Sequence, residues 1–381
     1  MFTFFYYLLA LVVYIIAIPY LLYKKRSKKY SQAIPAKFFL KNNPKFEKNK
    51  IWFHSCSMGE TKALKPIFDN FNDDDINLSV ITNTGYEQGT HMVKNVRYLP
   101  YEIFLPFWVS KQKILLVMEA ELWLMLFYSA FINRTKTVLI NARINDKSYE
   151  NYKKYSFFYK RLFKYVDKVF AQSQIDKKRL EDLGANNVEV IGNIKLASLP
   201  KITKKLIKPD GVIITAGSTH KTEEELILNA WDKNQGKLIL VPRHPERFEE
   251  VYSLLQSKYS NSNVTFHKYS LQDNFESDIT LVDVMGQLIN IYAISDVVIL
   301  GGGFIESAGG HNPVEPAFFN TTVISGKVIF NQKSLFECVN HYYLIKDNEL
   351  KTYLDNLKNL KRASLGQTGT VDPIVQYIKD I

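Results

Sequence analysis

Residues 51–60 read Ile-Trp-Phe-His-Ser-Cys-Ser-Met-Gly-Glu, an apolar run that ends a strand, a short polar loop, and a glutamate where the next helix begins. Ligands of open α/β sheets bind beyond the carboxyl ends of the strands, where loops lead into helix N-termini. Gly59 permits close backbone approach there, and Glu60 presents a carboxylate to a ligand. The same carboxylate would also simply complement the helix dipole, so other motifs must decide between the two readings.

Working outward, short β-like runs alternate with helical stretches at 50–53, 78–82, 114–118, 137–141 and 168–171. A second series follows at 211–216, 237–241, 279–282, 297–300 and 322–324. Such alternation predicts parallel strands joined by crossover helices. The segment 197–210, rich in lysine and proline and without periodicity, reads as a linker. At 381 residues the chain is too long for one ordinary core. The expectation is α/β with two Rossmann-like lobes, 24–196 and 211–381, facing a cleft.

Residues 1–23 are apolar apart from Thr3 and Pro19, and as a helix would extend roughly 35 Å, enough to cross a bilayer. No positive side chain precedes this run, and Lys24, Lys25, Arg26, Lys28 and Lys29 follow it, unlike a cleaved signal peptide. The positive-inside rule then predicts a single-pass anchor with cytoplasmic lobes. These five residues leave +6 of the formal net charge of +11 for the rest of the chain, a moderate excess that suits an anionic membrane surface or phosphorylated substrates. No helix-turn-helix, zinc-finger or RNP-type motif speaks for nucleic acid, which is not an expected partner. Cys56 and Cys338 stand alone, and the seven histidines show no ligand spacing, so neither a disulfide framework nor a metal is expected.

Further polar junctions follow the strands. Glu119 and Glu121 set two carboxylates directly after 114–118, where an acid pair can shape a cationic transition state or accept sugar hydroxyls. Thr82 to Tyr86 form another such loop, and 192–195 (Gly-Asn-Ile-Lys) places Lys195 at the lobe boundary. In the second half, Ser218, Thr219 and His220 precede a Glu223-Glu224-Glu225 run whose helix N-terminus suits an anion. Arg243 follows a strand, placed for phosphate or base contacts or else for a surface pair with Glu246 or Glu249. Gly301 to Gly303 and Gly309 to Glu315 promise a backbone-amide nest for a nucleotide phosphate, with Glu315 one turn into a helix, near ribose hydroxyls.

Taken together the strings HSCSMGET (54–61), MEAELW (118–123), NARI (141–144), GNIK (192–195), STH (218–220), PRHPER (242–247), DVMGQL (283–288) and GGHNPVEP (309–316) resemble the 3-deoxy-D-manno-octulosonic acid (Kdo) transferases of lipopolysaccharide biosynthesis. The resemblance implies a GT-B glycosyltransferase of the bacterial inner membrane that moves Kdo from CMP-Kdo to a lipid A precursor (lipid IVA) with inversion, without a cofactor. It implies Glu60 as general base, and Glu121 and Lys195 as transition-state stabilisers. It also implies an acceptor-binding first lobe, and CMP contacts from Pro242, Arg243, Met285, Gly286, Gln287, Asn312, Pro313, Val314 and Glu315. Three positions depart from the family pattern: Gln287 replaces a glutamate, Leu124 a proline, and Gly303 a frequent serine. The alternatives are another GT-B sugar-nucleotide transferase or epimerase, or a membrane-tethered nucleotide-sugar binder without turnover.

Overall fold

The computed structural model describes residues 1–27, 30–197, 200–366 and 369–381. Lys28 and Lys29 of the basic cluster, Ser198 and Leu199 of the expected linker, and Gln367 and Thr368 lie outside the described residues. The chain forms two compact units, Met1–Ser198 with Gln367–Ile381, and Leu199–Gly366.

The first unit carries strands β1 (Ile51–Ser55), β2 (Ile76–Val80), β3 (Asn95–Tyr98), β4 (Ile114–Met118), β5 (Lys136–Ala142), β6 (Lys168–Ala171) and β7 (Val188–Val190). All pair in parallel, in the order β3-β2-β1-β4-β5-β6-β7. Alternate residues supply opposite faces, as the pleat requires. Phe53, Leu78, Ile114, Leu116 and Met118 pack in one core, and Trp52, Leu115, Val117 and Leu139 in another. Both faces of the central strands are therefore dry, which is why they read as continuous apolar runs.

The second unit carries β8 (Ile213–Thr219), β9 (Lys237–Pro242), β10 (Phe266–Lys268), β11 (Ile279–Leu281), β12 (Val297–Leu300), β13 (Thr322–Gly326) and β15 (Tyr342–Ile345), with a small antiparallel pair of β14 (Val339–Asn340) and β16 (Ser364–Leu365). The seven-stranded sheet is parallel, in the order β10-β11-β9-β8-β12-β13-β15. Two parallel α/β sheets satisfy the GT-B expectation. In each the strands that follow the first fill one side of the sheet before the chain crosses to the other, which sets β1 against β4 and β8 against β12 at the crevice where such sheets hold ligands.

Helix α1 (Phe2–Lys24) is long and apolar enough to cross a membrane. One side packs on the first unit: the Tyr7 hydroxyl donates to the Ile103 carbonyl at 3.1 Å, and Tyr14 to Phe38 at 2.6 Å. Tyr6 bonds the buried carboxylate of Glu102. Phe4, Phe5, Leu8, Leu9, Val12, Val13, Ile15 and Ile16 stay exposed. Short helices α2 (Ala33–Phe39) and α3 (Met58–Ala63) complete what positions the site.

Two boundaries differ from the expectation. Residues 367–381 belong to the first unit rather than to the second lobe, because the apolar face of helix Asp372–Lys379 (Ile374, Val375, Ile378) is buried in the core around Phe53. The end of the expected linker is docked on the second unit. Asn290 Oδ1 accepts from the Thr203 and Lys204 amides at 2.9 and 3.2 Å, and Leu206 packs against the core around Ile213.

Candidate active site

Ser57 caps α3, and this cap fixes the first carboxylate. The Ser57 hydroxyl donates to Glu60 Oε1 at 2.9 Å, and the Cys56 amide donates to Oε2 at 2.7 Å. Burial pushes the Glu60 carboxyl up to about 7; the Cys56 amide and Ser57 hydroxyl pull it down, and the Glu119 and Glu121 carboxylates push it up. A carboxylate so poised gives up or takes a proton near neutral pH. Burial also raises the Cys56 thiol to about 12, which removes it as a nucleophile at neutral pH. His54 is buried and held down at about 3 by desolvation, with Nδ1 2.9 Å from Ser79 Oγ, so it is a neutral structural side chain.

The neighbouring strand end adds two acids and a cation. After β4 the backbone turns through a left-handed Glu119 (φ 53°), and Trp123 Nε1 donates to Glu121 Oε2 at 2.7 Å. Lys195 Nζ lies 2.5 Å from Glu119 Oε1, a charge contact outside hydrogen-bonding geometry, with the lysine side chain only 7% exposed. Lys195 sits on a single helical turn held from two sides. Asn193 Oδ1 accepts from its amide at 3.0 Å, and Asn141 Oδ1 accepts from the Ile194 amide at 3.0 Å. The structure thus brings Glu60, Glu121 and Lys195 to one end of one sheet. It adds Glu119, not among the assigned residues, as the direct partner of Lys195. Lys37 of α2 is a further residue missed in the sequence: burial lowers its pKa, countered by the nearby Cys56 and Glu121. Its only sequence signal is a lysine inside an otherwise apolar helix.

In the second unit Glu223 accepts from the amides of Gly302 at 2.8 Å, Phe304 at 3.1 Å and His220 at 2.9 Å. Two amides of the expected phosphate nest are therefore already satisfied by a carboxylate, which corrects that expectation for this part of the loop. Glu224 is buried and grips Arg247 bidentately at 2.7 and 3.1 Å. Gly303 stands where a Cβ would approach Ser325 Oγ at 2.3 Å and the Gly326 amide at 2.7 Å, the physical reason for a glycine here.

Arg243 is exposed, and its amide donates to the Thr219 carbonyl at 2.9 Å. It enters no ion pair among the described residues. Glu246 meets His244 at 3.8 Å, and Glu249 meets Lys268 at 2.6 Å, so the surface-pair alternative is not realised. Its charge instead acts on Glu315, whose carboxyl is raised by burial and lowered by Asn312 and Arg243. Asn312 organises this end: Nδ2 donates to Glu315 Oε1 and Oδ1 accepts from the Val314 amide, both at 3.0 Å, with Pro313 between. Beside it, His220 and His311 stack with Nε2 atoms 2.8 Å apart, one donating and one accepting. Burial, then the neighbouring rings and Arg243, hold His311 down at about 4. Sequence reading did not pair these two rings. Pro242 ends β9; Met285 is 62% exposed, Gly286 has φ 84°, and Gln287 Oε1 accepts from Asn290 at 3.0 Å.

The family model for 3-deoxy-D-manno-octulosonic-acid transferase (kdotransferase) matches residues 25–198. The chain is 34% identical over 310 residues to a bifunctional glycosyltransferase/methyltransferase of Fusobacterium nucleatum, covering 74% of this chain and 48% of that protein. It is 33% identical over 316 residues to the 3-deoxy-D-manno-octulosonic acid transferase of Haemophilus influenzae, covering 75% of this chain and 72% of that one. Among solved structures it is similar to the C-terminal CMP-Kdo binding domain of WaaA from Acinetobacter baumannii, with 32% identity, a TM-score of 0.33, and coverage of 38% of this chain and 77% of that one.

Proposed function

Because this chain belongs to the 3-deoxy-D-manno-octulosonic acid transferase family of glycosyltransferases, we propose that it transfers Kdo from CMP-Kdo to a lipid A precursor, lipid IVA, at the cytoplasmic face of the bacterial inner membrane. The observation that carries this reading is Glu60, a carboxylate in the first turn of the helix after β1, held between the Cys56 amide and the Ser57 hydroxyl and pushed up to about 7, which suits a general base at neutral pH. The acceptor hydroxyl oxygen attacks the anomeric carbon of Kdo from the face opposite the phosphate. As the new C–O bond forms, the bond to the CMP phosphate breaks and CMP departs with its electron pair. Glu60 takes the hydroxyl proton, and the configuration inverts.

Lys195, paired with Glu119, supplies positive charge near the developing anionic groups, while Glu121 faces the cationic sugar ring. In the second unit Arg243 contacts the CMP phosphate, and Pro242, Met285, Gly286, Gln287, Asn312, Pro313, Val314 and Glu315 hold the nucleotide. As an amide, Gln287 still accepts one hydrogen bond where a glutamate is usual. No resident cofactor is part of this scheme. Helix α1 tethers the enzyme where its acceptor resides.

The direct test incubates the full chain in detergent with CMP-Kdo and the bisphosphorylated tetraacyl precursor and weighs the lipid product. A mass gain of one or more Kdo residues is expected. CMP release only from other donors, or no transfer with any donor, would overturn the proposal.

A further inference from the structure

The helix Leu124–Ile132 follows directly on the loop that carries Glu119 and Glu121, and it starts without a cap of its own. Trp123 stands at its N-cap, where an indole offers no acceptor to the first amides of the helix. The acceptor comes from another element. Glu102, in the single turn Glu102–Phe104, takes the Met125 amide on Oε2 at 2.9 Å. Its other oxygen, Oε1, accepts from the Tyr6 hydroxyl of α1.

Glu102 is 5% exposed and enters no ion pair among the described residues. A buried carboxylate costs stability unless donors satisfy it, and an apolar side chain of similar size would fill the space at less cost. The two donors that satisfy Glu102 belong to α1 and to the first turn after the acidic loop, so this one side chain ties those elements together. The tie reaches Glu121 in one further step. The Trp123 carbonyl accepts from the Leu126 amide at 3.1 Å, and its Nε1 donates to Glu121 Oε2 at 2.7 Å. Where the helix starts therefore fixes where the indole stands, and the indole holds one oxygen of Glu121. Glu102 and Trp123 also line the same cavity of about 180 Å³, which leaves the ring room to turn once the helix start is released.

We propose that Glu102 is a positioning residue for the transfer reaction: it sets the start of helix Leu124–Ile132, and through it the Trp123 ring that holds Glu121, while Tyr6 braces it from α1. This rests on the transferase reading, in which Glu121 faces the cationic sugar ring, and adds what keeps that carboxylate in place. α1 is then a brace of the acidic loop as well as a tether.

The test uses the full chain in detergent, labelled with 5-fluorotryptophan. Trp123 is assigned among the four tryptophans by the resonance lost in Trp123→Phe, and Trp231 in the second unit serves as the internal control. Glu102→Ala is expected to move the Trp123 resonance and not that of Trp231, to lower kcat at least about tenfold, and to leave KM for CMP-Kdo unchanged. In a Glu121→Gln background the same change should cost less than about threefold more, because Glu102 acts through Glu121. Glu102→Gln still accepts from the Met125 amide and can donate to the Tyr6 hydroxyl oxygen, so it should restore most of the lost rate. Tyr6→Phe removes one hydroxyl and should move the Trp123 resonance in the same direction by a smaller amount; it decides the question alone if Glu102→Ala does not fold. An unmoved Trp123 resonance in the folded variants, or an equal loss of kcat in both Glu121 backgrounds, would overturn the positioning role. A shifted Trp123 resonance in a protein that transfers from no donor would instead overturn the transferase reading and leave the tie standing.

Discussion

At the scale of single residues, the site turns on a carboxylate kept from its ordinary pKa. Glu60→Gln preserves shape and still accepts from the Cys56 amide, but takes no proton. Single-turnover transfer is expected to fall at least about 100-fold with donor binding retained; a rate within tenfold of wild type would remove Glu60 as the base. The wild-type rate should rise with pH through about 7 as Glu60 deprotonates. Stability runs the other way. A carboxyl whose folded pKa is raised holds its proton more tightly when folded, so its contribution is full below about 4.5 and is lost as pH rises through about 7. Glu60→Gln should therefore be more stable than wild type at pH 8, by on the order of 3 kcal/mol, and the gap should close towards pH 4.5; denaturant melts at the two pH values check this. Glu119→Gln leaves Lys195 buried without its partner, with an expected loss on the order of 3 kcal/mol. It also removes a negative neighbour of Glu60, so the rising limb of the rate profile should move to lower pH.

At the scale of elements, loops after strands hold the proposed site residues, and their tolerance is set by what already fills the space. Gly303→Ser, though serine is frequent in the family at this place, would drive a Cβ into Ser325 Oγ and the Gly326 amide. A clear drop in melting temperature is expected, only partly relieved by Ser325→Ala, because the backbone contact at 2.7 Å remains. An unchanged melt would mean that the loop shifts freely. Arg243→Ala should weaken CMP binding by roughly 2 to 4 kcal/mol if the guanidinium meets phosphate away from water; titration calorimetry with CMP measures it. What was legible in the sequence follows the same physics. β1, β4, β8 and β12 are buried on both faces and announce themselves as apolar runs. β3, with Asn95 and Arg97 half-exposed, and the three-residue β7 and β10 carry no such run, so the apolar alternation does not predict them. The loop residues were visible as motifs. Their contacts, Lys195 with Glu119, Glu223 with the Gly302 amide and His220 with His311, join positions far apart in the chain, and nothing local encodes them.

At the scale of the whole molecule, sequence order and spatial order part company at both ends. α1 reads as a separable anchor, yet its tyrosines bond Glu102, Ile103 and Phe38. The last residues read as the tail of the second lobe, yet Ile374, Val375 and Ile378 are buried in a core of the first unit, and Tyr377 meets the Phe170 ring of β6 edge-on. Three apolar side chains buried at about 1.5 to 3 kcal/mol each make this helix a substantial share of a unit whose net stability is on the order of 10 kcal/mol. Deleting residues 367–381 should therefore destabilise the unit that holds Glu60 while the proposed nucleotide unit stays folded. Two observables separate the outcomes. Hydrogen exchange should accelerate in the first sheet, foremost in β6 and β7, and transfer activity should fall, while CMP affinity and exchange in β8 and β12 remain as in the full chain. Uniform loss of protection in both sheets would mean that the units do not fold independently. Loss confined to β8 and β12 would return the C-terminal helix to the second unit.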